Sequence, residues 1–137
     1  MSSFVLDCSV AMSWCFEDEK SDYGDYVLLN LRKGASAIVS SIFYIEVTNL
    51  LLMAERKRRI SAENAIYFLS QLEKLPINVD DAPNPKLVLE IFHIGREHKL
   101  KSYDTSYLSL CLFKGLPIAT LDQQLLKVAI LLGFKKY

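Results

Sequence analysis

The chain has 137 residues, of which 51% are hydrophobic and 23% are charged, and its 16 Lys and Arg balance its 16 Asp and Glu. The hydrophobic fraction excludes an intrinsically disordered chain, and the length predicts a single domain over residues 1–137 with a full core. The zero net charge lacks the basic excess that usually marks nucleic-acid-binding proteins, so any such binding must use local patches. We expect part of the apolar surplus to cover a partner, in a homo-oligomer or at a protein-binding groove.

The chain shows no targeting or disulfide pattern. Its start, Met1-Ser2-Ser3-Phe4, lacks the basic region and cleavage site of a signal peptide, and no apolar run reaches the roughly 18 residues that a membrane span needs. Its three cysteines, Cys8, Cys15 and Cys111, lie in apolar stretches without metal-type spacing, which predicts reduced, buried thiols. These features predict a cytoplasmic protein.

The first half of the chain alternates short apolar runs with longer helical stretches. Residues 4–6 are predicted to form a strand that ends at Asp7, and Ser9 is predicted to cap the next helix. The acidic run at 17–19 is interpreted as a solvated loop. The other predicted elements are a helix at 23–32, a strand at 37–39, a helix at 42–59, a helix at 61–75 capped by Ser61, and a strand at 77–79.

The second half continues this alternation. Helices are predicted at 84–98, 104–113 and 122–133, with strands at 117–120 and 134–137. Strands separated by helices predict a mostly parallel sheet that is covered on both faces, which is a three-layer α/β/α sandwich.

Two acidic residues come at the ends of predicted strands. Asp7 follows the first strand, and Asp122 follows the strand at 117–120. Ligands of open parallel sheets bind beyond the carboxyl ends of the strands, where the strand order reverses. The two carboxylates therefore meet at one crevice if their strands are neighbours, which the pattern alone does not decide.

Glu46 stands in an apolar segment, IFYIEV at 42–47. Burying an unpaired carboxylate is costly, so Glu46 needs a basic partner or a metal ion. The basic run at 56–59 begins about ten positions along the same predicted helix, or about 15 Å away at 1.5 Å per residue, which is too far for a pair. Glu46 therefore needs a partner that is distant in sequence.

Each acidic residue also has a purely structural interpretation. Asp is a preferred N-cap, and capping is the better interpretation of Asp104 or of Asp122 taken alone; it is also open to Asp7. Glu46 alone could pair with a distant lysine. The occurrence of all four at such positions in one small domain favours a shared site.

If the four carboxylates converge, they require cations. Two carboxylates about 5 Å apart at an effective dielectric constant of about 20 repel each other by about 3 kcal/mol. Oxygen ligands without His or Cys select hard ions such as Mg²⁺ or Mn²⁺, which bind phosphates and activate water. The pattern therefore favours phosphodiester hydrolysis.

Four segments carry a resemblance to a known family. The segment FVLDCSVAMSW at 4–14 resembles the opening of PIN-domain ribonucleases of the VapC toxin branch. The segments SIFYIEVTN at 41–49, YDTSYLSL at 103–110 and ATLD at 119–122 resemble the second, third and fourth acidic motifs of that family, in the same order.

The resemblance implies a parallel five-stranded sheet in the order 3-2-1-4-5, which makes the first and fourth strands neighbours. It implies a Mg²⁺- or Mn²⁺-dependent endoribonuclease that cleaves tRNA or ribosomal RNA, with Asp7, Glu46, Asp104 and Asp122 as catalytic metal ligands. It gives Ser9 and Thr120 a supporting role beside the acids. It also implies a toxin, expected to be a homodimer, that is silenced by a small antitoxin protein.

Other functions fit the residues less well. A haloacid-dehalogenase-like phosphatase needs D-x-D after the first strand, where this chain has Asp7-Cys8-Ser9. A non-catalytic PIN-like binding module stays open, although such modules often lose the acids. A nuclease acting on DNA is chemically equivalent at this level, so the choice of RNA depends on the resemblance.

Overall fold

A parallel β-sheet lies at the centre of the structure, a computed structural model that describes residues 2–80 and 85–137. Within these residues the sheet has four strands in the order β3-β2-β1-β4. All three strand pairs are parallel. The strands are β1 (Ser3–Leu6), β2 (Ser36–Val39), β3 (Ile77–Val79) and β4 (Ile118–Ala119).

Helices connect and cover these strands. Phe4, Val5 and Leu6 are all fully buried, although successive strand residues point to opposite faces, so both faces of the sheet are covered as predicted. The described helices are α1 (Cys8–Ser13), a 3-10 helix (Glu17–Glu19), α2 (Asp22–Arg32), α3 (Phe43–Arg56), α4 (Ala62–Glu73), α5 (Pro85–His98), α6 (Ser102–Lys114) and α7 (Gln123–Leu131).

The predicted fifth strand is reduced to a single bridge. Lys136 pairs with Ile118 in parallel, outside the four strands. The Ile118 N–H donates to the Lys135 carbonyl at 3.0 Å, and the Tyr137 N–H donates to the Ile118 carbonyl at 2.9 Å. β4 has only two residues, so it offers little edge for a longer partner. The predicted fold class and the order 3-2-1-4 are confirmed, with four strands instead of five in the described residues.

Several predicted helix ends also differ from the structure. The helix predicted at 42–59 ends at Arg56, because Arg58 adopts a left-handed conformation with φ of 58°. Ser61 caps α4 as predicted, accepting a hydrogen bond from the Asn64 N–H. Ser9 is not a cap, since it lies inside α1. Asn84, predicted to begin a helix, lies outside the described residues.

The three cysteines are free thiols, with Cys8 and Cys111 buried and Cys15 partly buried. Among the described helices, none has the length and apolar character needed to cross a membrane.

Candidate active site

The register between β1 and β4 brings the first and last acidic motifs together. Leu6 pairs with Ala119, and the Asp7 N–H donates to the Ala119 carbonyl at 3.0 Å. Asp7 follows β1 and Asp122 follows β4 by a short loop, so both leave the same carboxyl edge of the sheet. The two strands are neighbours at the point where the strand order reverses, which is the adjacency that the sequence argument required.

Asp7 is held by two hydroxyl groups. Its side chain is buried, and Ser9 Oγ and Thr120 Oγ1 both donate to Asp7 Oδ2, at 2.6 and 2.8 Å. Each hydroxyl in turn accepts a backbone N–H at 3.0 Å, Ser9 from Leu121 and Thr120 from Asp122. The single proton of each hydroxyl is therefore directed at Asp7, and the loop after β4 is tied to the start of α1.

Asp122 combines the structural and the functional interpretation. Its Oδ1 accepts the Leu125 N–H at 3.0 Å and caps α7. Within the described residues, Asp122 Oδ2 has no hydrogen-bond partner. Asp122 also lines the cleft described below, so one of its oxygens stabilises the helix and the other is available to a ligand.

Glu46 has a partner that is distant in sequence, a neutral hydroxyl group. Glu46 lies in the first turn of α3, partly buried, and Tyr107 Oη on α6 donates to its Oε1 at 2.6 Å. The prediction of a basic or metal partner overlooked a neutral donor. The sequence did carry one signal, because Tyr107 lies one helical turn after Asp104 and so shares its face of α6.

Asp104 lies in the first turn of α6 and is partly buried, with Lys101 as the N-cap residue. It was predicted to begin the helix, which instead begins at Ser102. In residues 2–80 and 85–137, the Asp104 side chain forms neither a hydrogen bond nor an ion pair. Its carboxylate is thus not used for capping.

All four predicted acids line one cleft of about 450 Å³. Its described lining contains no Lys or Arg, and none of the four acids forms a salt bridge with a described residue. Glu19, predicted to be a solvated loop residue, lies in the 3-10 helix, also lines the cleft and pairs with Arg59. The rest of the lining is formed by Cys8, Ser9, Met12, Ser13, Leu50 and Leu121.

Burial and mutual repulsion raise the pKa values of three of these carboxyls. Burial raises the pKa of Asp7 above its ordinary 3.8; the two hydroxyl donors oppose the shift and the charge of Asp122 adds to it. Burial also raises the pKa of Glu46, opposed by the bond from Tyr107 and increased by the charges of Asp7 and Asp104. The pKa of Asp104 rises by burial and by the charges of Asp7 and Asp122, while Lys101 lowers it. A cation in the cleft would relieve this repulsion.

Cys8 is a neutral part of the lining. Burial, and next the charge of Asp7, raises the pKa of its thiol far above the ordinary value. Burial therefore favours the protonated thiol over the thiolate at this position.

The donor chemistry fits a hard divalent ion, because most of the potential metal ligands that line the cleft are carboxyl oxygens. As placed, however, no three His, Cys, Asp or Glu side chains in the described parts of the chain form a group ready to hold one metal ion.

A comparison with protein families shows the family to which this chain belongs. A family model described as PIN domain matches residues 4–131. The chain belongs to the PIN domain family. This confirms the family indicated by the four acidic segments, all of which lie in the matched range. No curated protein matches the chain.

Solved structures share the fold of this PIN domain. PAE2754 from Pyrobaculum aerophilum is 21% identical, with 93% of this chain and 86% of that chain covered and a TM-score of 0.65. VapBC2 from Rickettsia felis, bound to a DNA fragment from their promoter, is 13% identical, with 92% of each chain covered and a TM-score of 0.68. FitAcB from Neisseria gonorrhoeae is 15% identical, with 98% of this chain and 96% of that chain covered and a TM-score of 0.65.

Proposed function

We propose that this PIN domain, a single domain over residues 1–137, is a cytoplasmic, Mg²⁺- or Mn²⁺-dependent endoribonuclease and the toxin of a toxin–antitoxin pair. The observation that carries the proposal is the cleft in which Asp7, Glu46, Asp104 and Asp122 all take part without a basic side chain in the described lining. The four motifs that resemble VapC toxins support RNA as the substrate.

In this proposal the four carboxylates hold the metal. Bound among them, the ion would offset their repulsion, activate a water and stabilise charge on a phosphodiester oxygen. Ser9 and Thr120 keep Asp7 oriented toward the cleft edge of the sheet. The acids as placed form no ready group of ligands, so their side chains must draw together when an ion binds.

Lys101 is placed to help bring RNA to this site. It is exposed beside Asp104, whose pKa it lowers, so its positive charge acts at the edge of the cleft. A phosphate backbone approaching Asp104 would meet this charge first, which suits a protein that has no overall basic excess.

Incubation of the purified protein with total tRNA and Mg²⁺ tests the nuclease proposal. We expect cleavage that EDTA abolishes and that Asp7→Asn and Asp104→Asn each abolish. Asp22→Asn, an exposed carboxylate in the first turn of α2, is the matched control and should cleave as the wild type does. Cleavage that persists in EDTA or in both site variants would overturn the mechanism, and preferential cleavage of single-stranded DNA would overturn the choice of RNA.

The antitoxin is proposed to occupy a groove of about 1260 Å³ beside the acidic cleft. Glu17 and Asp18 line this groove, whereas the next residue, Glu19, lines the acidic cleft, so the 3-10 helix separates the two. A chain that fills the groove therefore needs to cross only this segment to reach the acids. Apolar side chains in the groove include Trp14, Phe16, Leu28, Ile60, Phe68, Leu72 and Leu75.

Expression in bacteria tests the toxin proposal. We expect growth arrest that a co-expressed neighbouring gene relieves. Tyr67→Glu, in the groove, should keep the arrest and lose the relief, whereas Ile66→Glu, equally exposed but outside the groove lining, should keep both. Harmless expression of the wild type in the absence of any partner would overturn the toxin assignment while leaving the nuclease assay to decide the activity.

Homodimer formation is proposed through α5 and α6, which pack against each other. Their outer surfaces expose large apolar side chains, which a monomer seldom carries together. The exposed residues are Val88, Leu89, Phe92, Leu112 and Phe113.

A further inference from the structure

The Tyr107 hydroxyl group forms a hydrogen bond that is not needed for the packing of the tyrosine ring. Its side chain is fully buried, and its hydroxyl donates to Glu46 Oε1 at 2.6 Å. This distance is at the short end for an O–H donor, as expected when the acceptor is a carboxylate. A phenylalanine would fill the same space without burying a hydroxyl group, so the hydroxyl serves the contact with Glu46.

We propose that Tyr107 is a positioning residue that holds the Glu46 carboxylate in the acidic cleft for metal binding. The inference rests on the proposed metal-dependent nuclease, and it assigns the support of one ligand to a residue outside the four acids. Tyr107 itself does not line the cleft, so it acts through Glu46.

The position of the two residues in the fold gives the contact its effect. Glu46 is on α3 and Tyr107 is on α6, and the hydrogen bond joins these helices across 61 positions of the chain. Asp104 lies one turn before Tyr107 on α6. The bond therefore fixes the position of Glu46 relative to the helix that carries Asp104.

A neutral donor suits this place better than a cation would. A lysine or arginine beside Glu46 would compete with the metal for the carboxylate, and no described Lys or Arg forms a salt bridge with it. The phenol occupies Oε1 only. Glu46 Oε2 has no hydrogen-bond partner in residues 2–80 and 85–137, so it is available to a cation.

The test is the affinity for Mn²⁺ of the purified full chain, measured by titration calorimetry. Tyr107→Phe removes only the hydroxyl and is expected to weaken Mn²⁺ binding about 10- to 100-fold, the usual effect of losing an outer partner of a metal ligand. Tyr103→Phe is the matched control: it removes a tyrosine hydroxyl from the same helix, and Tyr103 is 56% exposed. It should bind Mn²⁺ as the wild type does.

A second pair of variants separates positioning from general packing. In a Glu46→Gln background, adding Tyr107→Phe should change the Mn²⁺ affinity by less than about twofold, because the hydroxyl acts through the carboxylate. In the RNA assay, Tyr107→Phe should lower kcat and leave KM nearly unchanged. Equal Mn²⁺ affinity in wild type and Tyr107→Phe, or an equal loss in both backgrounds, would overturn the inference.

A measurement on the wild type covers the case in which Tyr107→Phe does not fold. In protein labelled with ¹³C at the tyrosine ζ carbons, Mg²⁺ should shift the Tyr107 signal and leave the Tyr103 signal in place. Absence of that shift, in a protein that binds Mg²⁺, overturns the role of Tyr107 alone. A wild-type protein that binds neither ion overturns the proposed metal dependence, and the inference with it.

Discussion

Thr120 Oγ1 lies 2.8 Å from Asp7 Oδ2, joining residues 113 positions apart. The same hydroxyl accepts the Asp122 N–H at 3.0 Å. One small side chain thus fixes the buried carboxylate at the end of β1 and the backbone of the acid that follows β4. The geometry of the two outermost motifs depends on this residue.

Thr120→Val tests that dependence. Valine has nearly the same shape but leaves Asp7 with one hydroxyl donor and the Asp122 N–H without its acceptor. We expect the free energy of unfolding to fall by about 1 to 3 kcal/mol, the range for leaving buried polar groups unpaired. Urea denaturation of the purified protein measures it.

Thr48→Val is the control for that measurement. The Thr48 hydroxyl is exposed on α3 and bonds only the Tyr44 carbonyl of its own helix. Its loss should change the free energy of unfolding by at most about 0.5 kcal/mol, as is usual for surface substitutions. Equal losses in the two variants would contradict the role assigned to Thr120.

Arg59 is expected to hold in place the 3-10 helix (Glu17–Glu19), which separates the groove from the acidic cleft. It contacts Asp18 at 2.9 Å and Glu19 at 3.2 Å, and its guanidinium lies 4.3 Å from the centroid of the Phe16 ring. Arg59→Ala should speed amide hydrogen exchange at Glu19 and Lys20, whose N–H groups form the bonds of the 3-10 helix. Raising the salt concentration to 1 M should reduce the difference between variant and wild type, since exposed ion pairs are screened.

Arg56→Ala is the control for Arg59→Ala, because Arg56 ends α3 and forms no salt bridge with a described residue. It should leave the exchange of Glu19 and Lys20 unchanged. An Arg59→Ala protein with wild-type exchange at these amides would show that the segment is held by other contacts.

The part of the site that follows strand ends could be predicted from the sequence. Parallel strands place their carboxyl ends at one edge of the sheet. This rule predicts that Asp7 and Asp122 lie close together once β1 and β4 are known to be neighbours. That adjacency required the family resemblance, because local patterns do not state which strands pair.

Contacts between distant elements could not be predicted in the same way. The bond from Tyr107 to Glu46 joins two helices, and each residue taken alone is typical of an ordinary helix position. The pairing of Glu19 with Arg59 also depends on the turn of the chain at Arg58. Arginine does not favour the left-handed conformation that Arg58 adopts, so the sequence does not indicate this turn. Local sequence describes the elements, and their packing decides these partners.

Phe113→Glu tests the proposed homodimer. Phe113 is 62% exposed on α6, the helix that packs against α5. A charge buried in the interface would destabilise the dimer, so light scattering after size exclusion should give a monomer of 15.6 kDa instead of twice that mass. Ile66→Glu, on α4, changes a similarly exposed residue and should leave the dimer intact. A wild-type protein that is already a monomer would refute the proposed interface.

Asp7→Asn should gain stability relative to the wild type as the pH rises. The folded-state pKa of Asp7 is raised, so its favourable contribution is present below about pH 3.8 and is lost as the pH rises through the raised value. Asparagine does not titrate, and the difference in unfolding free energy between the two proteins in EDTA should therefore change as the pH rises above about 3.8 and level off once the pH has passed the raised pKa of Asp7. At pH 8, Mg²⁺ at a hundred times its dissociation constant should restore about 2.7 kcal/mol to the wild type, by mass action on the folded state. Asp7→Asn should regain far less, because it lacks a proposed ligand. Parallel pH curves for the wild type and Asp7→Asn would show that folding does not raise the pKa of Asp7.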